Sequence, residues 1–419
     1  MTDSSTKKFH EKSREERIKT VKSFAGLSKE DVEILKSNGG ISFDEANHMV
    51  ENVIGTLSFP LGIATNFKIN GKDYLVPMAI EESSVIAAAS KAAKIARKYG
   101  GFTMESDESY SIGQVQVVGV DVKSAIPKVM SASDRILELA NSKSKTLSKM
   151  GKGAKEITCK KLKTKSETML IVEILIDTGD AMGANVTNTM CEGIAPLIEK
   201  LTGGRTLLRI LSNYSTRRLV RGKAIFDKEE IGGEQVVDNV ILAYEFAAND
   251  PYRAVTHNKG VMNGIIAVAN SIGQDTRAIE AASHAYASKS GKYTSLTRWQ
   301  KNKQGNLVGE IEIPMPVGIV GGIVNVHPMI KVCTKILGVK SAKELGCIIG
   351  AVGLAQNFSA IRALVSEGIQ KGHMKLHAKN IAISVGVPKS KMNEVVASMV
   401  KEGNVSVTRA KEILKELSD

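Results

Sequence analysis

Between residues 110 and 215 the chain changes texture, and that change constrains its architecture more than anything else in it. GQVQVVGVDV, starting at 113, alternates like a half-buried strand. TMLIVEILID at 168–177 reads as a second strand and TLLRILS at 206–212 as another. Helical stretches lie between them, at 126–149 and from DAMGAN (180–185) to about 201. A βαβαβ-like unit of this kind closes on itself and splits the flanking chain into two parts of one larger unit. At 419 residues the chain is too long for one ordinary core. The expected division is a large domain at 1–109 and 216–367, an inserted small domain at 110–215, and a C-terminal segment at 368–419. The fold class expected is α+β.

Local signals fill in the rest. Capping boxes at Ser13…Glu16, Ser28…Asp31 and Ser42…Glu45 open short helices, with Gly26, Gly39-Gly40 and Gly55 closing them in turn. NFKIN and YLVPMAI form a hairpin around Asn70-Gly71. The Ala-rich stretch 82–98 reads as a buried helix ending at Gly100-Gly101. Residues 216–365 read as helices interrupted by a hairpin centred on Gln304-Gly305, and the final segment as short helices broken at Gly386 and Pro388.

Composition excludes several classes. With 42% hydrophobic and 24% charged residues, nothing indicates disorder. The N-terminus MTDSSTKKFHEKSREER lacks the apolar centre of a signal peptide, and no apolar run approaches the roughly 18 residues of a spanning helix, so a cytosolic protein without a membrane segment is expected. Cys159, Cys191, Cys333 and Cys347 form no CxxC pair and read as packed thiols. A net charge of +13 invites a nucleic-acid partner, yet aromatic residues are only 4% and the lysines are dispersed. A solvated surface, part of it facing anionic cofactors, accounts for the charge without nucleic acid.

Four chargeable residues stand inside structured stretches: Glu82 in PMAIEESSVIAAAS, Lys259 in DPYRAVTHNKGVMNG, Asp275 in SIGQDTRAIEA and His373 in EGIQKGHMKLHAKN. Such groups can polarise a carbonyl, hold an alkoxide and protonate a leaving thiolate. Each also has a plainer reading. Glu81 or Glu82 would favour a helix N-terminus by about 0.3–1 kcal/mol. Lys259 would be a solvated loop cation, and Asp275 an N-cap. His373 and His377 could pair on one helix face as zinc ligands, which would make a metal hydrolase, although no glutamate or third ligand motif accompanies them.

The phrasing around these residues, with ENVIG at 51–55 and DAMGANVTNT at 180–189, closely resembles the class II (soluble) 3-hydroxy-3-methylglutaryl-coenzyme A (HMG-CoA) reductases, from about residue 9 to the C-terminal helices. The resemblance implies an inserted small ferredoxin-like, non-Rossmann dinucleotide-binding domain and a C-terminal helical flap. It implies four-electron reduction of HMG-CoA to mevalonate and coenzyme A, or the reverse, with NADPH or NADH and no metal. Glu82 becomes the catalytic acid, Lys259 the oxyanion holder, Asp275 the carboxylate between them and His373 the acid for coenzyme A thiolate. Arg253, Ser84, Asn213 and Asn263 become substrate contacts. Asp180, Met182, Gly183 and Asn185 become dinucleotide contacts, with GIVGG at 318–322 lining the same cleft. ENVIG is implied to lie at a homodimer interface with shared active sites, Glu51, Asn52 and Gly55 otherwise being a helix end.

Two departures carry information. NADH-preferring relatives place an acid where this chain has Ser144 between Lys143 and Lys145, so NADPH is the expected preference. His10 stands near where relatives use an arginine towards coenzyme A, and Lys7, Lys8 and Lys12 are its available substitutes.

Overall fold

The computed structural model describes residues 3–6, 8–37, 41–366 and 369–417, and for 369–376 the backbone alone. The chain opens with α1 (Arg14–Ala25), α2 (Lys29–Lys36) and α3 (Phe43–Met49), each started by its capping box. Gly26 closes α1 at φ 63°. Gly39-Gly40 lie outside the described residues. Gly55 is not the stop expected for α3: the helix ends at Val50, whose N–H returns to the Ala46 carbonyl. Glu51 and Asn52 then form a turn, with Asn52 at φ 58°, so ENVIG follows a helix end without being one.

β1 (Leu61–Ile69) and β2 (Lys72–Ala79) pair around Asn70-Gly71, whose φ values of 49° and 82° suit a tight hairpin. α4 (Val85–Ala96) buries Ala89, Ala92, Ala93 and Ala96 completely, because small side chains let a helix sit close on a sheet. β3 (Phe102–Ser106) follows.

The insertion then begins. It runs β4 (Tyr110–Val118), α5 (Val122–Ser131), α6 (Ser133–Ser142), α7 (Lys145–Lys149), β5 (Gly153–Lys163), β6 (Thr168–Asp177), α8 (Ala184–Thr202) and β7 (Arg205–Ser212). The expected single helix at 126–149 is three helices. The βαβαβ reading missed β5, so the order is βαββαβ. All pairings are antiparallel in the order β5-β6-β4-β7, a ferredoxin-like sheet. Val115, Val117, Leu170, Val172, Ile174 and Ile176 bury one face beneath α5, α6 and α8.

After the insertion come β8 (Leu219–Phe226), α9 (Lys228–Ile231), α10 (Glu234–Asn249), α11 (Pro251–Ser271), α12 (Thr276–Ala287), β9 (Thr297–Lys301), β10 (Leu307–Pro314), α13 (Pro328–Leu337) and α14 (Ala342–Val365). β8 was not anticipated. It completes a six-stranded sheet, β2-β1-β3-β8-β10-β9, in which β3 and β8 bring the two flanks of the insertion together. α14 corrects one expectation: it is long and apolar enough to cross a membrane. About 67% of its apolar window is buried against the molecule's own core, the pattern of a central core helix.

The final helices, α15 (Ile369–Ser384), α16 (Met392–Glu402) and α17 (Val407–Glu416), carry a separate small core of Ala378, Ala382, Val395, Met399, Ala410 and Ile413.

Candidate active site

The bend between β2 and α4 sets Glu82 at the edge of the large sheet. Ser84, at φ 73°, turns the chain into α4. Opposite runs α11, and its mid-helix Lys259 Nζ reaches Glu82 Oε2 at 2.8 Å. Asn263, one turn further on, donates to the same oxygen at 3.3 Å. Lys259 is therefore a helix residue, not the loop cation of the plainer reading. The two side chains are 62% and 39% exposed, so a substrate can reach the pair.

The rotation of α11 that aims Lys259 outward is fixed from behind. Asn258, fully buried, donates to the Thr294 carbonyl (2.9 Å) and the Tyr293 hydroxyl (3.1 Å) and accepts from the Leu296 N–H (2.9 Å). His257 Nε2 bonds Thr297 Oγ1 at 2.7 Å. Burial, reinforced by Arg253, pulls the His257 pKa down to about 3, so this ring is a neutral structural element. Both residues lie within DPYRAVTHNKG, where nothing in the sequence distinguishes them; only their partners at 293–297 reveal the role. Arg253 itself sits in the first turn of α11, half-buried, its N–H bonded to Asp250.

Glu82, Ser84 and Asp275 line one cavity of about 2790 Å³. Asp275 is the N-cap of α12, accepting from the Ala278 N–H at 3.0 Å, and pairs with Arg277 at 3.1 Å. Among the described residues it shares the cavity wall with Glu82 and not a hydrogen bond. The cavity wall is also basic in part, with Lys8, His10, Arg14, Arg17, Lys91 and Lys94 along it. Lys12 instead bonds Thr20, and Lys7 lies outside the described residues. Asn213 is exposed beyond β7 and is absent from the cavity wall. His373 belongs to α15, and its side chain lies outside the described ones.

The DAMGAN turn lies where the two sheets meet. Asp180 Oδ1 accepts from Ala342 N–H at 2.8 Å, fastening the turn to the start of α14. Ile319 N–H bonds the Asp180 carbonyl at 2.9 Å, and Ala181 bridges Val320 in parallel. GIVGG thus runs beside DAMGAN, as expected. A Cβ on Gly318 would lie 2.4 Å from Met182 N. Gly183, the N-cap of α8 at φ 101°, would place a Cβ 2.4 Å from Thr178. Its closest approach is therefore to its own strand end. Asn185 is exposed on the first turn of α8.

Ser144 caps α7 by accepting from Leu147 N–H at 3.4 Å, between the exposed Lys143 and Lys145. The Lys143 stem lies over Gly193 of α8, where a Cβ would come within 2.6 Å of it.

A sheet-backed acid–lysine pair at the rim of a large, partly basic cavity is the kind of site at which an enzyme holds an anionic group and moves a proton. Residues 13–378 match the hydroxymethylglutaryl-coenzyme A reductase family. The chain is 52% identical over 410 residues to the 3-hydroxy-3-methylglutaryl-coenzyme A reductase of Archaeoglobus fulgidus, covering 98% of this chain and 94% of that one. It is 38% identical over 385 residues to the probable enzyme of Borreliella burgdorferi, covering 90% and 86%. The reductase structure from Streptococcus pneumoniae superposes with a TM-score of 0.84 at 40% identity, over 99% of this chain and 100% of that one. A class II structure from the same organism, bound to NADPH in open conformations, gives 0.82 at 40% identity over 97% and 100%. This chain belongs to the hydroxymethylglutaryl-coenzyme A reductase family and has the α+β fold of that S. pneumoniae enzyme.

Proposed function

We propose that this chain interconverts HMG-CoA and mevalonate plus coenzyme A, using two equivalents of NADPH or NADH in the reducing direction. The observation that carries this reading is the 2.8 Å contact of Lys259 with Glu82, formed by residues 177 apart in sequence at the cavity rim. A nicotinamide cofactor supplies the hydrides. The DAMGAN turn fits such a group: α8 opens there on Gly183 with no side-chain cap, which leaves its first-turn N–H groups suited to a pyrophosphate.

The chain's own residues do the rest. Lys259 holds the thioester oxygen as it gains charge. Arg253 takes the free carboxylate of the substrate as a planar fork, with Ser84, Asn263 and Asn213 as further contacts. As the hemithioacetal collapses, His373 protonates the departing thiolate, a task suited to a group whose ordinary pKa is about 6.5. Glu82 then delivers a proton to the aldehyde oxygen in the second reduction, in a network with Asp275. Because two cofactors use one site in turn, the helices after 368 serve as a flap.

We assign 110–215 as the cofactor domain, with Ser144, Lys143 and Lys145 favouring NADPH, and the basic cavity wall as the coenzyme A side. The working form in this reading is a cytosolic homodimer. Support for the dimer is the apolar exposure of Ile54 within ENVIG and Leu57 just after it, and of Leu242, Phe246, Tyr252 and Val255 on α10 and α11.

Parallel assays of NADPH and NADH oxidation with HMG-CoA test the proposal. Two cofactors oxidised per thioester, with higher kcat/KM for NADPH, are expected. Absence of thioester-dependent oxidation of either cofactor overturns the activity, and a preference for NADH overturns the assignment of 143–145. His373→Ala should impair thioester reduction far more than reduction of free mevaldehyde, and equal loss in both would remove His373 from thiolate protonation.

A further inference from the structure

Among the described residues Arg218 is the one buried guanidinium. It is 4% exposed. Its Nη1 donates to the Met182 carbonyl at 3.1 Å, and both Nη atoms reach the Ala181 carbonyl at 3.4 Å. Nη2 also donates to the Val317 carbonyl. Among the described residues no carboxylate pairs with it. The nearest acids have other partners: Asp177 bonds Lys152 at 2.8 Å and Gly179 N–H at 3.0 Å, and Asp180 bonds Ala342 N–H. Burying a guanidinium is costly; here Asp177 and Asp180 favour the cation from nearby, and its direct partners are backbone carbonyls.

What it holds is specific. The carbonyls of Ala181 and Met182 belong to the turn that opens α8, and Val317 immediately precedes GIVGG. The same strip is tied onward, since Gly318 N–H donates to Gln274 Oε1 at 2.8 Å, next to Asp275. Neither Arg218 nor the two glycine-rich segments it joins are among the residues that line the cavity.

We propose that Arg218 is a positioning residue for the dinucleotide: it fastens the 181–183 turn to the 317–320 segment in the one geometry that the cofactor meets. The inference rests on the reading of DAMGAN as a cofactor segment. Burial pulls the Arg218 pKa down to about 10, so it stays a cation at neutral pH. Only a planar fork reaches all three carbonyls at once; an ammonium keeps the charge and loses the spacing.

The test is NADPH binding to the full-length protein, read by nucleotide fluorescence without turnover, beside KM for HMG-CoA. Arg218→Met should raise the NADPH Kd about tenfold or more, while KM for HMG-CoA stays within about twofold. Arg218→Lys should fall between wild type and Arg218→Met, which separates charge from spacing, and it carries the test should Arg218→Met fail to fold. An unchanged NADPH Kd in Arg218→Lys and Arg218→Met, or a proportionate loss for both ligands, overturns the proposal. If the wild-type protein itself binds no nicotinamide nucleotide, it is the cofactor reading that fails.

Discussion

The two sheets are built from opposite kinds of chain geometry. The four strands of the smaller sheet are consecutive in sequence, and their core is complete within residues 110–212. The larger sheet takes β1, β2 and β3 from before the insertion and β8, β9 and β10 from after it. Its central pairing, Phe102–Ser106 with Val220–Ala224, closes a loop of more than a hundred residues. The proposed chemistry follows the second pattern: Glu82 and Lys259 come from opposite sides of the insertion. The proposed dinucleotide turn follows the smaller sheet yet is bonded to segments flanking the larger one, through Asp180 to Ala342, Ile319 and Arg218. The proposed reactive groups therefore depend on long-range assembly, while the proposed cofactor segment depends on the seam.

That contrast can be broken by mutation. Lys259→Met should lower kcat/KM for HMG-CoA by about a thousandfold, the scale of losing a preorganised charge at a developing oxyanion. Its melting temperature should barely move, because the side chain is mostly exposed. A large drop in stability instead would show that the pair holds the scaffold together. Next comes Asp275, where two substitutions separate capping from chemistry. Asparagine caps as well as aspartate, so Asp275→Asn should fold normally and lose activity by about a hundredfold. Asp275→Ala should in addition lose about 1 kcal/mol of stability. Full activity in Asp275→Asn would leave this residue as a cap only.

Gly183→Ala probes the seam. The backbone at φ 101° and the contact with Thr178 make the substitution strained by about 1–3 kcal/mol. NADPH affinity should fall with HMG-CoA binding retained, and parallel loss of both in titrations would mean that the turn and the acid–lysine pair are one cooperative unit. The smallest effect concerns the larger sheet alone. Burial would push the Glu312 carboxyl up, but hydrogen bonds from Lys289, Tyr286 and Arg221 hold it at about 2. Its folded pKa lies below the ordinary value of about 4.3, so its contribution is present above that pH and is lost as pH falls towards 2. Melting curves across this window should be flatter for Glu312→Gln than for wild type, modestly so because the site is partly exposed. Identical slopes would assign the acid sensitivity to other carboxylates.

What could be read from sequence was whatever neighbours decide. Ser13, Ser28 and Ser42 with their partners three residues on fixed helix starts, and Asn70-Gly71 fixed a hairpin, because both signals act within a few residues. β5 escaped because GAKEITCKKLK is an edge strand whose lysines mask its alternation. β8 escaped because LVRGKAIF is held by β3 and β10, both distant in sequence. The same limit applies at the site. Family phrasing marked Glu82 and Lys259, yet Arg218 in STRRLV looks like any surface arginine, and only carbonyls at 181, 182 and 317 reveal its burial. Asp180 was expected to face a ligand, while its carboxylate fastens α14, a partner 162 residues away.

Asp107 and Leu219 hold each other: the Asp107 N–H meets the Leu219 carbonyl at 2.9 Å, and the Leu219 N–H meets the Asp107 carboxylate at 3.1 Å. The polypeptide thus leaves and rejoins the larger sheet through one narrow stalk, with Ser106 directly opposite Val220. A tight turn grafted across that stalk would join β3 and β8 as a plain antiparallel hairpin. The excised piece is a cassette, and a differently specialised one could be spliced in at the same two peptide bonds.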